Sequence, residues 1–193
     1  LDSLPPGRTL LINNAGAGDY GDFADGRWEK IRSLLRLNVE SLTRLCHALI
    51  PVMKRNGGDI INLSSLGALL PIPDFAVYAA TKAYVSSLSE ALRLELREHG
   101  IRVMAVSPGW VKTEFFDHAL QTSNDAVTYY NRLYEAKDVM KTALHDLYRT
   151  KKDVSIHGLP VRWQVRLVKL LPHKLVMDIW MRQQKHNKLP DED

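Results

Sequence analysis

The chain has 193 residues, of which 45% are hydrophobic and 25% charged, with 11 Gly and 9 Pro; this is the make-up of one ordinary globular domain and excludes disorder, collagen and long coiled coils. A single cysteine, Cys46, rules out an internal disulfide framework, no Cys-x-x-Cys pair is present to bind zinc, and a reducing, cytoplasmic location is expected. The net charge of +4 is uneven: residues 141–193 hold 11 basic and 6 acidic side chains while 1–140 hold 15 and 16, and the basic excess is interleaved with Leu and Val at helical spacing, so nucleic acid is not an expected partner.

The opening Leu1–Pro6 has no basic-then-apolar leader pattern, and the sequence does not begin with Met. Thr9–Asn13 is a short apolar run ended by Asn14-Ala15-Gly16-Ala17-Gly18, which predicts a buried strand feeding a tight turn. Between Arg27 and Arg55 apolar residues recur at Trp28, Ile31, Leu35, Leu42, Leu45, Leu49 and Met53, which predicts one long helix stopped by Asn56-Gly57-Gly58, with a possible kink at Pro51. Asp59–Leu63 is a second predicted strand, ending at Ser64-Ser65. The stretch from Ile60 to Pro73 is the longest without Asp, Glu, Lys or Arg, at 14 residues, whereas a bilayer-crossing helix needs about 20.

A helix is predicted from an N-cap at Asp74 to His99, closed by Gly100. Ile101–Val106 is a third strand, broken by Ser107-Pro108-Gly109. Short helical patterns run from Thr113 to Arg149, and Val154-Ser155-Ile156 is a weak fourth strand before Gly158. Val161 to about Lys185 is amphipathic and reads as two helices split near Pro172. Strands alternating with long helices predict an α/β fold with a doubly wound, mostly parallel sheet. Ligands of such sheets bind beyond the carboxyl ends of the strands, where Asn13–Gly16, Ser64-Ser65 and Ser107-Pro108-Gly109 are all expected.

Tyr78 and Lys82 are spaced to share one helix face, and Ser65 lies at the end of the strand feeding that helix. Asn-Asn-Ala-Gly, then Ser65, then Tyr-Ala-Ala-Thr-Lys, then Pro-Gly-Trp-Val-Lys-Thr together resemble the short-chain dehydrogenase/reductase family, from Thr9 to about Thr113 and more loosely to Gly158. The resemblance implies a Rossmann-like fold and an oxidoreductase that interconverts an alcohol and a carbonyl compound with NAD or NADP. It implies Asn38, Ser65, Tyr78 and Lys82 as catalytic residues. Tyr78 would exchange the proton, Ser65 would hydrogen-bond the substrate oxygen, Lys82 would hold the cofactor ribose, and Asn38 would support a water-linked proton relay. Cofactor contacts are expected from Asn14, Ala15, Gly16, Tyr78, Lys82, Pro108, Gly109, Val111 and Thr113. A phenol with its ordinary pKa near 10 needs a fall of about 3, or about 4 kcal/mol, to act as a base near neutrality. An ammonium about 4 Å away supplies roughly that at an effective dielectric of ~20, so Lys82 is expected to acidify Tyr78.

Plainer roles are expected for other residues. Asn38 could mark a helix kink or cap, Ser64 reads as a strand-end hydrogen bonder, and Cys46 reads as packing. The seven histidines have no metal-binding spacing and no Gly-x-Ser-x-Gly elbow is present, so neither a metal site nor a hydrolase is expected.

Family members begin with a strand, a glycine-rich turn and a helix that receives the cofactor pyrophosphate. Only 12 residues precede Asn13, and Gly18, Gly21 and Gly26 follow the Asn-Asn-Ala-Gly turn, so the expectation is a fragment of a longer enzyme with its N-terminal strands missing. Thr9–Asn13 would then have an unpaired edge. The expected division is a partial catalytic domain over 1–158 with a helical extension of the same domain over 159–193. A lid or packing role for the extension, with Leu167, Leu170 and Leu171 buried, is favoured over rest on an anionic membrane surface. Family resemblance implies a homo-oligomer built through the two long helices. The alternative function is a non-catalytic binding or scaffold protein unable to hold the dinucleotide.

Overall fold

A computed structural model of the chain describes residues 7–115, 119 and 133–187, the last five of these by their backbone. The first strand, β1, spans Thr9–Asn13. The long apolar pattern that follows forms α1 (Trp28–Leu35), a π-helical turn (Arg36–Ser41) and α2 (Leu42–Asn56). Thus the expected single helix is one rod interrupted by a π turn with Asn38 inside it, and Asn56 is its last residue. β2 (Gly58–Leu63) leads through a short 3-10 turn at Leu66–Ala68 to α3 (Ala76–Glu95). β3 spans Ile101–Val106, β4 Val111–Lys112, β5 Tyr134–Glu135 and α4 Ala136–His145. β6 (Val154–Ser155), α5 (Leu159–Leu170) and α6 (His173–Asn187) complete the chain.

Four strands form a parallel sheet in the order β1-β2-β3-β6, with helices between successive strands. The register places Asn13 beside Asn62 and Asn62 beside Ala105, so the three longer strands finish level with one another. β4 and β5 form a separate parallel pair that the sequence pattern does not announce. Each has only two residues, too short for a period to appear.

The core lies where α2 and α3 cover the sheet: Met53, Ile60, Val85, Ile101 and Val103 are buried together with Cys46. A second cluster joins Ile61, Met104 and Val106 to Val139, Ala143 and Leu147 of α4 and its following turn. β2 is buried on both faces because helices cover both sides of the sheet. Gly58 opens β2 where space is short: a Cβ there would come 2.8 Å from Met53 Cγ and 3.0 Å from the Thr9 carbonyl oxygen. β1 is the sheet edge among the described residues, and its Leu10 and Ile12 are each 42% exposed. No helix of the described residues is long and apolar enough to cross a membrane.

The α3 N-terminus departs from expectation. Phe75, not Asp74, is the N-cap, and no side chain caps the helix. Asp74 has φ 63°, a left-handed conformation that aspartate tolerates better than most residues, and its carbonyl accepts a hydrogen bond from Gly21 N–H at 2.9 Å. This turn drives Phe75 inward against Tyr20. At the other end, α3 stops at Glu95 and a 3-10 turn, Arg97–His99, continues to Gly100, which has φ 65° as expected of a helix-closing glycine.

The tail divides as expected, with Pro172 between α5 and α6, but different side chains are buried. Val161 and Val165 face the body, whereas Leu167 and Leu170 are exposed and Leu171 is only half-buried. The helix meets the body through its 161/165 stripe, because β6 and Gly158 set its entry direction before the leucines are reached.

At the amino end of the sheet, the buried Asp59 carboxylate accepts hydrogen bonds from Arg8 Nε (3.0 Å) and Nη2 (3.0 Å) and from Arg102 Nε (2.6 Å). Burial alone would raise its pKa, but the bonds from Arg8 and Arg102 outweigh it and leave the carboxyl below its ordinary value. Stability from this cluster is therefore present above the ordinary carboxylate range and is lost as pH falls through the lowered value. Asp59→Ala is expected to cost about 3 kcal/mol in denaturant unfolding at neutral pH, with the difference from the unaltered chain shrinking at pH below about 4. A neutral-pH loss under about 1 kcal/mol, the range of an exposed pair, would contradict this account.

Candidate active site

Level strand ends place three turns side by side, and α3 crosses them with Tyr78 and Lys82 on the face turned toward β2. A polar seam sets the rotation of this helix. Asn13 Nδ2 donates to Asn62 Oδ1 at 2.8 Å, and Asn62 Nδ2 donates to Ser89 Oγ at 2.9 Å. Ser64 Oγ donates to the Lys82 carbonyl at 2.9 Å and lies 2.7 Å from Ser86 Oγ. The expected strand-end role of Ser64 is thus a link from β2 to α3. Cys46 sits in the same buried environment, 3.3 Å from Asn13 Nδ2, and burial raises its thiol pKa.

Lys82 is buried, and its Nζ donates to the Leu63 carbonyl at 2.8 Å. Burial pushes its pKa down to about 8, because the ammonium loses hydration and no carboxylate of the described residues offsets that loss. Nζ lies 5.8 Å from the Tyr78 ring centroid. The Tyr78 ring is flanked by Phe75 at 5.7 Å and Phe115 at 5.4 Å. This enclosure raises the phenol pKa above its ordinary value; a hydrogen bond with Ser65 acts in the opposite direction and is the smaller effect. The expected acidification of Tyr78 by Lys82 is therefore not seen. The lysine stands over the ring, and aromatic burial from Phe75 and Phe115 governs the phenol.

Asn38 is fully enclosed. Its Oδ1 accepts from Ala17 N–H at 2.9 Å, while Nδ2 donates to the Ala17 carbonyl at 2.9 Å and to Thr81 Oγ1 at 3.0 Å. The pair of bonds to one backbone unit fixes which way the amide points. The π turn aims this side chain at the loop after β1, and Thr81, itself donating to the Tyr78 carbonyl at 2.7 Å, ties it to α3. Gly16 lies between the two groups: a Cβ there would come 3.2 Å from Lys82 Nζ and 3.5 Å from Asn38 Oδ1. A side chain at this position would crowd the ammonium, whereas glycine leaves space beside it.

A cavity of about 810 Å³ opens at these strand ends. Of the residues singled out in the sequence, Asn14, Gly16, Ser65, Tyr78, Lys82, Pro108, Gly109, Val111 and Thr113 line it. Ala15 and Asn38 do not; Asn38 stands behind Gly16. Its far wall is apolar and comes partly from α4, α5 and α6, through Met140, Val165, Val168, Met177 and Trp180. Sequence reasoning missed Thr81, which lies inside the Tyr-to-Lys spacing, and the aromatic wall of Phe75 and Phe115. Their periodicity marks them only as buried, and nothing local tells which ring they meet. The segment Glu114–Lys137 contributes Glu114, Phe115 and Ala136 to the lining; residues 116–118 and 120–132 lie outside the described residues. Among the described residues no group of three or more His, Cys, Asp or Glu could hold a metal ion.

Residues 9–124 match the short chain dehydrogenase family. An uncharacterized oxidoreductase of Myxococcus xanthus is 31% identical over 180 residues, covering 91% of this chain and 66% of that protein. A 3-beta-hydroxysteroid dehydrogenase of Comamonas testosteroni is 41% identical over 113 residues, covering 58% of this chain and 44% of that protein. Among solved structures, a short-chain dehydrogenase from Sphingobium yanoikuyae in complex with NADPH superposes with TM-score 0.71 at 31% identity, covering 95% of this chain and 66% of that one. A short chain dehydrogenase from Burkholderia cenocepacia in complex with NADP gives TM-score 0.74 at 25% identity, covering 89% and 70%. The chain thus spans 66% or less of the length of these two curated relatives.

The lowered pKa of Lys82 has a measurable consequence. Between about 8 and the ordinary 10.5 the unfolded chain binds a proton that the folded chain has released, so stability rises with pH across that window. Relative to Lys82→Met, the unaltered chain is expected to gain up to about 3 kcal/mol from pH 8 to 10.5 in denaturant unfolding. A difference between the two that stays flat over this window would show that Lys82 is hydrated.

Proposed function

Because the chain belongs to the short-chain dehydrogenase family, we propose that it carries the catalytic half of an enzyme that interconverts an alcohol and a ketone or aldehyde with NAD or NADP. The observation that carries this reading is the convergence of Ser65, Tyr78 and Lys82 on one cavity at the carboxyl ends of a parallel sheet.

The residues fit the nicotinamide end of such a cofactor. Lys82 has three N–H donors, of which one is used by Leu63, leaving two for ribose hydroxyls across the space that Gly16 keeps open. Pro108, Gly109, Val111 and Thr113 also line the cavity. When bound, the nicotinamide supplies or accepts a hydride. The chain's own groups handle the proton. Ser65 donates a hydrogen bond to the substrate oxygen, and Tyr78 passes its proton to that oxygen as negative charge develops there.

Burial raises the pKa of Tyr78, so proton transfer to a carbonyl oxygen starts from the neutral phenol. Alcohol oxidation needs the phenolate and gains from higher pH. An apolar far wall implies a substrate whose carbonyl is attached to a bulky hydrocarbon body. The Trp180 indole N–H, buried without a hydrogen-bond partner among the described residues, is a donor for a second oxygen on that body.

The pyrophosphate end of the cofactor needs a glycine-rich turn and helix N-terminus that the described elements from β1 onward do not supply. The open edge of β1, with Leu10 and Ile12 exposed, is where we place the strand that brings them in the longer enzyme.

In the full-length protein, Tyr78→Phe is expected to lower kcat for carbonyl reduction by roughly 10²- to 10⁴-fold, with little change in NADPH binding followed by its fluorescence. Reduction that survives this substitution unchanged would remove Tyr78 from the chemistry, whereas a full-length protein that neither binds NADPH nor reduces any carbonyl would leave the binding or scaffold alternative.

A further inference from the structure

The helix α5 has two apolar faces, one buried against the body and one exposed. Val161 and Val165 are buried against the body. Leu159, Trp163, Leu167 and Leu170 are 68%, 66%, 59% and 83% exposed. At 3.6 residues per turn these four fall within an arc of about 80°, so they form one continuous stripe. Beside it, on the flank between the stripe and the buried face, lie Arg162, Arg166 and Lys169, and the helix contains no Asp or Glu. Arg162 is engaged inward, its Nε donating to the Ile156 carbonyl at 2.8 Å. Arg166 lies with its guanidinium 5.1 Å from the Trp163 ring centroid, which keeps that cation beside the apolar stripe. Lys169 is exposed.

We propose that this face of α5 docks on an anionic lipid surface, with Leu159, Trp163, Leu167 and Leu170 entering the acyl boundary and Arg166 and Lys169 meeting lipid phosphates. A short helix with an apolar stripe, a tryptophan and cations alongside is suited to lie in the membrane interface. At 12 residues α5 is too short to cross the bilayer. The charge pattern favours this occupant over a second copy of the chain. Two such faces meeting about a two-fold axis would set Arg166 and Lys169 near their own equivalents, and like charges at an interface oppose association.

The position in the fold agrees. α5 follows β6, at the opposite edge of the sheet from β1, so a strand completing the β1 edge leaves this face open. The opposite side of the same helix lines the large cavity through Gln164, Val165 and Val168, so docking sets the cavity wall directly above the lipid. The docking itself rests on α5 alone and stands or fails separately from the catalytic reading.

Co-sedimentation with vesicles tests it, using phosphatidylcholine containing about a quarter phosphatidylserine against phosphatidylcholine alone. The unaltered chain is expected to pellet with the mixed vesicles and to lose roughly tenfold in binding when the anionic lipid is omitted or the salt is raised. The double variant Leu167→Glu, Leu170→Glu is expected to lose at least about tenfold on the mixed vesicles, since two apolar side chains no longer leave water. Both side chains are exposed, so its thermal melt should match the unaltered chain. As a second readout, brominated phosphatidylcholine mixed with phosphatidylserine is expected to quench tryptophan emission in the unaltered chain and not in Trp163→Phe. Absence of pelleting, pelleting that the double variant retains, or quenching that persists without Trp163 would each overturn the proposal. So would concentration-dependent self-association that the double variant abolishes, because a second copy would then be the occupant.

Discussion

Helix α3 is held over the strand ends by buried polar bonds, and the geometry of the candidate site follows from that constraint. Asn62 reaches Ser89, Ser64 reaches the Lys82 carbonyl and approaches Ser86, and Lys82 returns a bond to Leu63. Apolar packing alone tolerates a helix that rotates or slides by a fraction of a turn, because hydrophobic contact is non-directional. Buried hydrogen-bonding groups do not, since each unpaired one costs about 1–3 kcal/mol. Tyr78 therefore has one position, one turn before Lys82 and against Ser65.

The same enclosure sets the chemistry. An ammonium with a carbonyl for a partner has a pKa pushed down to about 8, and a phenol between two phenylalanines is pushed upward. The two shifts have the same origin, loss of water around the charged form, but act on groups of opposite charge. As a result the pair favours a neutral tyrosine. Asn38 and Thr81 support this arrangement from behind, joining the loop after β1 to α3 through Ala17. The π turn supplies the extra residue that aims Asn38 at that loop, in line with the frequent placement of such turns at functional sites.

The C-terminal helices connect the site to the surface. Through Val165 and Met177 they close the apolar side of the cavity, and through Trp163 and Leu170 they present hydrocarbon to the exterior. The same helix thus has apolar groups on both sides, and its basic flank gives the outer surface a sign.

The sequence by itself determined the four strands of the main sheet, the order of the turns at their ends and the spacing of Tyr78 and Lys82, because these rest on local periodicity and on glycine and proline chemistry. The strand-end hydrogen bonding of Ser64, the break at Pro172 and the helix-closing role of Gly100 were legible for the same reason, whereas the α3 partners of Ser64 were not. Only the tertiary structure decided that Asp74 is not a cap, that Lys82 leaves Tyr78 unacidified, and that α5 buries Val161 and Val165 in place of Leu167 and Leu170. Each of those outcomes depends on a partner distant in the chain: Gly21 on Asp74, Phe115 on Tyr78, and the entry direction set by β6 on α5. A pattern of residue types encodes which side chains avoid water, but burial, and the pKa values that follow from it, belong to surfaces that exist only once distant segments have met.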